Sequence, residues 1–382
     1  MTYTNGHSPP PVDFDLHGLV GIRLINASPR EVATITRQVG PIQRPLDREP
    51  DIMITFVDRL PTSSRIRYLG VDEAAFTDDA FLILRSKHKA RAKVQIPFDQ
   101  IGGKRCEIVC ERGLPAVPLL IAIINMTVLS KGALPLHASA FNYQGMGVLT
   151  TGWSKGGKTE TLLAFTSRGA EYVGDEWIYI TADGGRMYGI PEPIRVWDWH
   201  LQHLPQYWRL VKRSDRIRIR ALQTLVRLAE GVLPSSVGRR VTPLLKSQLY
   251  VHLPPEKLFG QRITPMTGVP QKIVFVASHE TPDTTVTPMD PLELAQRMVF
   301  SLQEERMLFM SYYWKFRFAF PDRANEFIER AESIEREVLM RVFAGKDTYA
   351  AYHPYPVAIP LLFDAISPVL GTAQADKVTQ GV

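Results

Sequence analysis

Eight residues constrain this chain more than any others. Gly152 to Thr159 read GWSKGGKT and fit the pattern GxxxxGK[ST], set between an apolar run, GVLTT, and a helix-forming run, ETLLAFTSRG. Strand, glycine-rich loop and helix thus follow in the order that a phosphate-binding loop requires. Glycines let backbone N–H groups curl around phosphate oxygens, and the positive end of the following helix adds a fixed favourable field. The pattern assigns Gly152, Ser154, Lys155, Gly156, Gly157, Lys158 and Thr159 to a nucleoside triphosphate, with Lys158 on the β and γ phosphates and Thr159 on Mg²⁺. ATP and Mg²⁺ are the expected cofactors, although nothing in the loop separates ATP from GTP.

Beyond that helix and Gly169 comes EYVGDEWIYI, which reads as a strand carrying two adjacent acids, Asp175 and Glu176. Neighbouring side chains on a strand point to opposite faces unless the strand ends there, so Gly174 marks a place where the backbone can turn. One acid is expected to serve Mg²⁺ and the other to accept a proton.

These segments together resemble the HPr kinase/phosphorylase group of bacterial serine kinases. The likeness lies in LPLHASAF, GWSKGGKTETLLAFTSRGAEYV and GDE, and covers about an eighth of the chain, from Leu134 to about Ile180. It implies a P-loop kinase core of the HPr kinase and carboxykinase type, transfer of a γ-phosphoryl group to a hydroxyl and a homo-oligomer, while a cytoplasmic setting is expected from the two cysteines, Cys106 and Cys110, read as thiols in a reducing cytosol. It also implies that His137 sits near the transferred phosphate, that Asp175 is the base and that Glu176 is the metal-side partner, the last two being exchangeable. Trp153 and Lys155 depart from the family's loop, and the segment linked to dephosphorylation is not found, so only the kinase direction is expected. In place of the family's glutamate-arginine signature stands GIPEPIRVWDWH, where Glu192 would aid the metal and Arg195 would offset transition-state charge; both also fit a surface loop. The carboxykinase alternative calls for a further metal-binding histidine and lysine, which have no place here. A nucleotide-binding sensor or assembly protein without turnover is the non-enzymatic alternative.

The rest of the chain organises around this core. Residues 1–17 read as a flexible leader. Residues 18–117 carry short β-rich runs, DIMITFV, FLILRS, AKVQIPF and CEIVC, and predict an α+β domain. The core is expected over 118–310. It opens with an apolar helix within Leu114–Leu129, continues through a hairpin around Gln144 and Gly145, and resumes at the strand KIVFVAS after a basic helical insertion at about 198–268. Asp290, Pro291 and Glu293 predict a capped helix start. Residues 311–382 predict a helical appendage.

Composition sets the outer limits. A formal charge of +6 over 382 residues suits an anionic ligand without requiring nucleic acid. No apolar run is long enough for a membrane span. Two cysteines, Cys106 and Cys110, build neither a disulfide framework nor a zinc site and read as buried thiols. Lys212, Arg213, Arg216, Arg218, Arg220 and Arg227 would either grip an acidic acceptor or line a solvated helix face. Trp197, Trp199, Tyr207 and Trp208 would either stack on a ring-bearing acceptor or pack in the core. The acceptor, a peptide, protein or small hydroxylated molecule, stays open. HPYPVAIPLLF, with His353, receives no function.

Overall fold

The computed structural model describes residues 9–70, 73–85, 91–232, 235–260 and 265–371. The chain is mixed α/β and divides into two units, each gathered from three separate stretches. Met1–His137, Glu176–Ile190 and Met289–Thr348 form the first, while Ala138–Asp175, Pro191–Pro288 and Tyr349–Val382 form the second.

In the first unit the β-rich runs build an eight-stranded sheet. Its order is Val12–Leu16, Val20–Ile25, Ile52–Val57, Cys106–Glu111, Arg91–Gln95, Phe81–Arg85, Ala74–Phe76 and Arg67–Leu69. Val20–Ile25, Ile52–Val57 and Cys106–Glu111 run parallel, and the other pairings are antiparallel. Period-two alternation turns Ile52, Ile54 and Phe56 inward beside Cys106, Ile108 and Cys110. Both cysteines are accordingly free and buried, and burial pushes the Cys106 thiol up to about 12.

The expected leader is shorter than residues 1–17. Its first eight residues lie outside the described ones, but Val12–Leu16 is the edge strand of this sheet. Phe14 and Leu16 are buried, Asp13 takes two hydrogen bonds from Arg23 at 2.8 and 3.0 Å, and Arg48 donates to Asp15 at 2.8 Å. A strand of five residues joined to its partner by the tight His17–Gly18 turn carries little periodic signal on its own.

The apolar helix starts later than expected, at Leu120, and runs to Ser130, because Pro115 and Pro118 hold the preceding residues out of it. The helix Pro291–Ala319 is capped as expected by Asp290, whose side chain accepts from the Leu292 N–H, whereas Glu293 bonds Arg297 and makes no capping box. This helix runs through the boundary expected at 310–311 and belongs to the first unit. Its Phe309 and Phe316 rings lie 5.4 and 5.5 Å from Phe98, an aromatic contact that sequence spacing does not encode. A buried Arg306–Glu335 pair ties it to the helix Ala331–Phe343.

In the second unit Ala138–Tyr143, the end of strand Leu134–Tyr143, forms the expected hairpin with Met146–Thr151. Gln144 and Gly145 turn with φ of 50° and 81°. Met146–Thr151 also pairs in parallel with Pro270–His279. Parallel neighbours need a crossover, here the glycine-rich loop, the helix Lys158–Thr166 and the insertion. That insertion is not wholly helical. Beside the helices Asp198–His203, Arg213–Val232 and Ser235–Lys246 it carries an antiparallel ribbon of Ile194–Trp197 with Tyr250–Leu253. The C-terminal stretch likewise differs from an all-helical appendage: Asp347–Pro354 is a strand, Ile359–Leu370 a helix, and residues 372–382 lie outside the described ones. Among the described residues no helix is long and apolar enough to cross a membrane.

Candidate functional site

Strand Met146–Thr151 is buried and delivers the chain into the glycine-rich loop at Gly152. There φ is +151°, and an added Cβ would fall 2.3 Å from the carbonyl oxygen of Val276 on the neighbouring strand. Only glycine permits that approach. Trp153, Ser154 and Lys155 form the exposed tip, with Lys155 at φ 65°, and the Gly156 N–H closes the turn onto the Trp153 carbonyl at 3.0 Å. Gly157 is the N-cap of the helix Lys158–Thr166 and offers no side chain to its first-turn N–H groups.

Lys158 is buried, and its ammonium group donates to the carbonyls of Gly152 at 3.2 Å and Trp153 at 3.0 Å. Thr159 follows, and its hydroxyl donates to Asp175 Oδ2 at 3.1 Å and lies 3.3 Å from Oδ1. Asp175 reaches that position because the acidic segment is not one continuous strand. Glu171–Gly174 ends as Gly174 anticipated, Glu176 takes φ 69°, and a second strand begins at Trp177. Asp175 is itself buried. Burial first, then the nearby charges of Asp175 and Glu192, hold the Tyr172 hydroxyl well above the ordinary tyrosine range.

The second unit therefore brings together Gly152, Gly156, Gly157, Lys158, Thr159 and Asp175, and Glu192 is a half-buried residue of the same unit. Arg195 is exposed on the ribbon, its guanidinium 5.0 Å from the Tyr250 ring and opposite His252 in register. Of the four aromatics, Tyr207 is buried in the core and Trp199 and Trp208 pack on it. The first unit holds the other two candidates together. His137 is buried, with Nε2 3.1 Å from Glu176 and Nδ1 2.5 Å from Glu305, and its ring faces Trp177 at 5.7 Å.

Three supports around the loop carry no local signal. Ser139 donates to the Lys158 carbonyl at 2.8 Å. His353 is buried beneath the loop, with Nε2 2.9 Å from the Gly156 carbonyl and Nδ1 2.9 Å from that of Pro354. His200 is buried and sits 3.0 Å from Glu160, the residue after Thr159. Since His200 Nδ1 accepts from the Trp197 N–H at 3.3 Å, Nε2 must carry the proton and donate to Glu160.

Burial alone would raise the Glu160 carboxyl, but the hydrogen bond from His200 holds it below the ordinary glutamate range. A depressed carboxyl adds stability above its unfolded pKa, and that stability is lost as pH falls through the folded value. His200→Leu strands the carboxylate and should cost about 2–3 kcal/mol at pH 7. The gap in Tm from the parent protein should narrow as pH is lowered through the glutamate range; a gap independent of pH would contradict the pairing.

No protein-family model matches this chain, and no curated protein matches it with significance.

Proposed function

We propose that the chain is a nucleotide- and Mg²⁺-dependent kinase that transfers a γ-phosphoryl group to a hydroxyl. The observation that carries this reading is the Thr159–Asp175 contact at the start of a helix entered through a glycine-rich loop, with Lys158 beside it. The donor set fits Mg²⁺, which takes one or two carboxylates and hydroxyls from protein and leaves the rest of its octahedron to phosphate and water. Thr159 and Asp175 would hold it, and its chemistry there is neutralisation of phosphate charge. Lys158 would add the second positive charge, and the loop N–H groups would cradle the phosphates.

In the transfer the bond from the γ-phosphorus to its bridging oxygen breaks, a bond from the acceptor oxygen forms, and the acceptor proton passes to a carboxylate. Asp175 is the buried carboxylate of this unit at the loop, so it contributes charge toward the cation and acceptance of the proton. Such reactions draw most of their acceleration from positioning and electrostatics, which suits a loop held by strand Pro270–His279 and by His353. The resemblance to HPr kinases over Leu134 to Ile180 supports the same chemistry.

The test incubates purified protein with γ-labelled ATP or GTP, Mg²⁺ and a cell extract, and identifies by mass whatever gains label. A labelled hydroxyl ester supports the kinase; tight nucleotide binding with no labelled product replaces it with a non-catalytic nucleotide sensor. Lys158→Ala should weaken triphosphate binding by about 10- to 100-fold, as expected for a lost charge-assisted contact, with a smaller effect on the nucleoside. Unchanged triphosphate affinity in a titration would remove the phosphate loop from the reading.

A further inference from the structure

The basic insertion divides its arginines between two tasks. Arg218 donates to the carbonyls of Gln248 at 3.0 Å and Tyr250 at 2.5 Å, and Arg216 donates to that of Val211 at 2.9 Å. Gln223 adds two hydrogen bonds to Asp198 at 2.9 and 3.0 Å, while Ile219, Val226 and Ala229 are buried. These contacts clamp the helix Arg213–Val232 and fix which face it turns outward.

That outward face carries two ridges. Arg213, Arg220 and Arg227 recur at every seventh residue, all exposed, over about 21 Å of helix at 1.5 Å per residue. Beside them Ser214, Ile217, Ala221, Thr224 and Leu228 follow the alternating three- and four-residue spacing of a helix-pairing seam. Ile217 is 59 % and Leu228 53 % exposed, with Leu225 at 49 % on their flank. The helix's two carboxylates are turned to other cations, Asp215 to Arg218 and Glu230 to Lys246. Among the described residues the three ridge arginines have no carboxylate partner.

We propose that this face is a docking surface for an acidic amphipathic helix of a partner protein. The charge requires an anionic partner, and guanidinium groups bind carboxylates through paired hydrogen bonds. Small Ser214, Ala221 and Thr224 between large Ile217 and Leu228 leave hollows that a partner's side chains fill. Arginines flanking an apolar seam stand where paired helices place their selecting charges. A lipid surface fits less well, because the face has no aromatic residue and each cation contributes only about 1 kcal/mol there.

The surface also has a structural link to the loop. Gln223 bonds Asp198, which begins the short helix Asp198–His203, and His200 of that helix bonds Glu160. A docked helix would therefore press on residues that hold the loop helix.

The experiment measures anisotropy of a labelled peptide of about three heptads, with Leu at the seam and Glu at the flanks, on the full chain without nucleotide, so it stands apart from any kinase reading. Saturable binding should weaken at least about tenfold in R213E/R220E/R227E, and also on raising salt from about 0.1 to 0.5 M, with Tm unchanged because all three side chains are exposed. Should that variant misfold, R213Q/R220Q/R227Q gives the same reading without charge reversal. Absence of peptide binding, equal binding of a Lys-for-Glu peptide, or indifference to the triple substitution overturns the proposal. Binding to phosphatidylserine vesicles instead reassigns the face to a membrane, and self-association lost in the triple variant reassigns it to a second copy.

Discussion

Asp175→Asn should lower phosphoryl transfer by at least about 10³-fold, within the span that a lost general base or metal-side carboxylate produces, while triphosphate binding without Mg²⁺ changes little. The substitution is nearly isosteric, and the amide oxygen can still accept from the Thr159 hydroxyl, which stands 3.1 Å from the carboxylate. The loop should keep its shape, so the loss reports charge and basicity. The two contributions separate experimentally. If charge toward the cation dominates, residual activity climbs as Mg²⁺ is raised beyond the parent enzyme's saturation; if proton acceptance dominates, the acid limb of the pH–rate profile disappears and extra Mg²⁺ restores nothing. Full turnover in the variant would show that Asp175 plays neither part.

Sequence made this site legible where its parts are close together along the chain. Strand Met146–Thr151, the loop and helix Lys158–Thr166 fall where periodicity and the glycine pattern place them, and Asp175 follows soon enough to be tied to Thr159. The break between Gly174 and Trp177 was readable only as a possibility that glycine allows. It becomes definite in the backbone, where Glu176 takes φ 69° and a second strand begins at Trp177. Long-range supports left no trace. His353 lies in a proline-rich run with no ligand or nucleophile spacing, and His200 looks like one more aromatic in a Trp-rich segment until Glu160 is brought to it. The boundary expected at 310–311 falls inside a helix for the same reason. Helix Pro291–Ala319 follows the loop-bearing segments in sequence, yet its phenylalanines belong against Phe98, and only tertiary packing decides such a choice.

Gly157→Ala should reduce triphosphate affinity by at least about 100-fold and destabilise the protein by about 3 kcal/mol, through backbone strain and overpacking at one atom. Gly157 has φ +110°, a conformation that side-chain-bearing residues rarely adopt, and its added Cβ would lie 2.4 Å from His353 Nε2. The ring cannot yield easily. It is 1 % exposed, and its two nitrogens stand 2.9 Å from the carbonyls of Gly156 and Pro354. The loop must therefore move, and with it the N–H groups at the start of the helix. Truncating the ring separates the two causes. His353→Ala alone should loosen the loop and weaken binding modestly, because the Gly156 carbonyl loses its partner. Placed in the Gly157→Ala background it should relieve the collision but not the strained φ, so the double variant should be more stable than the sum of the single losses by at least about 1 kcal/mol. Strict additivity in the four-variant cycle, read by thermal unfolding and nucleotide titration together, would mean that His353 does not support the loop from below.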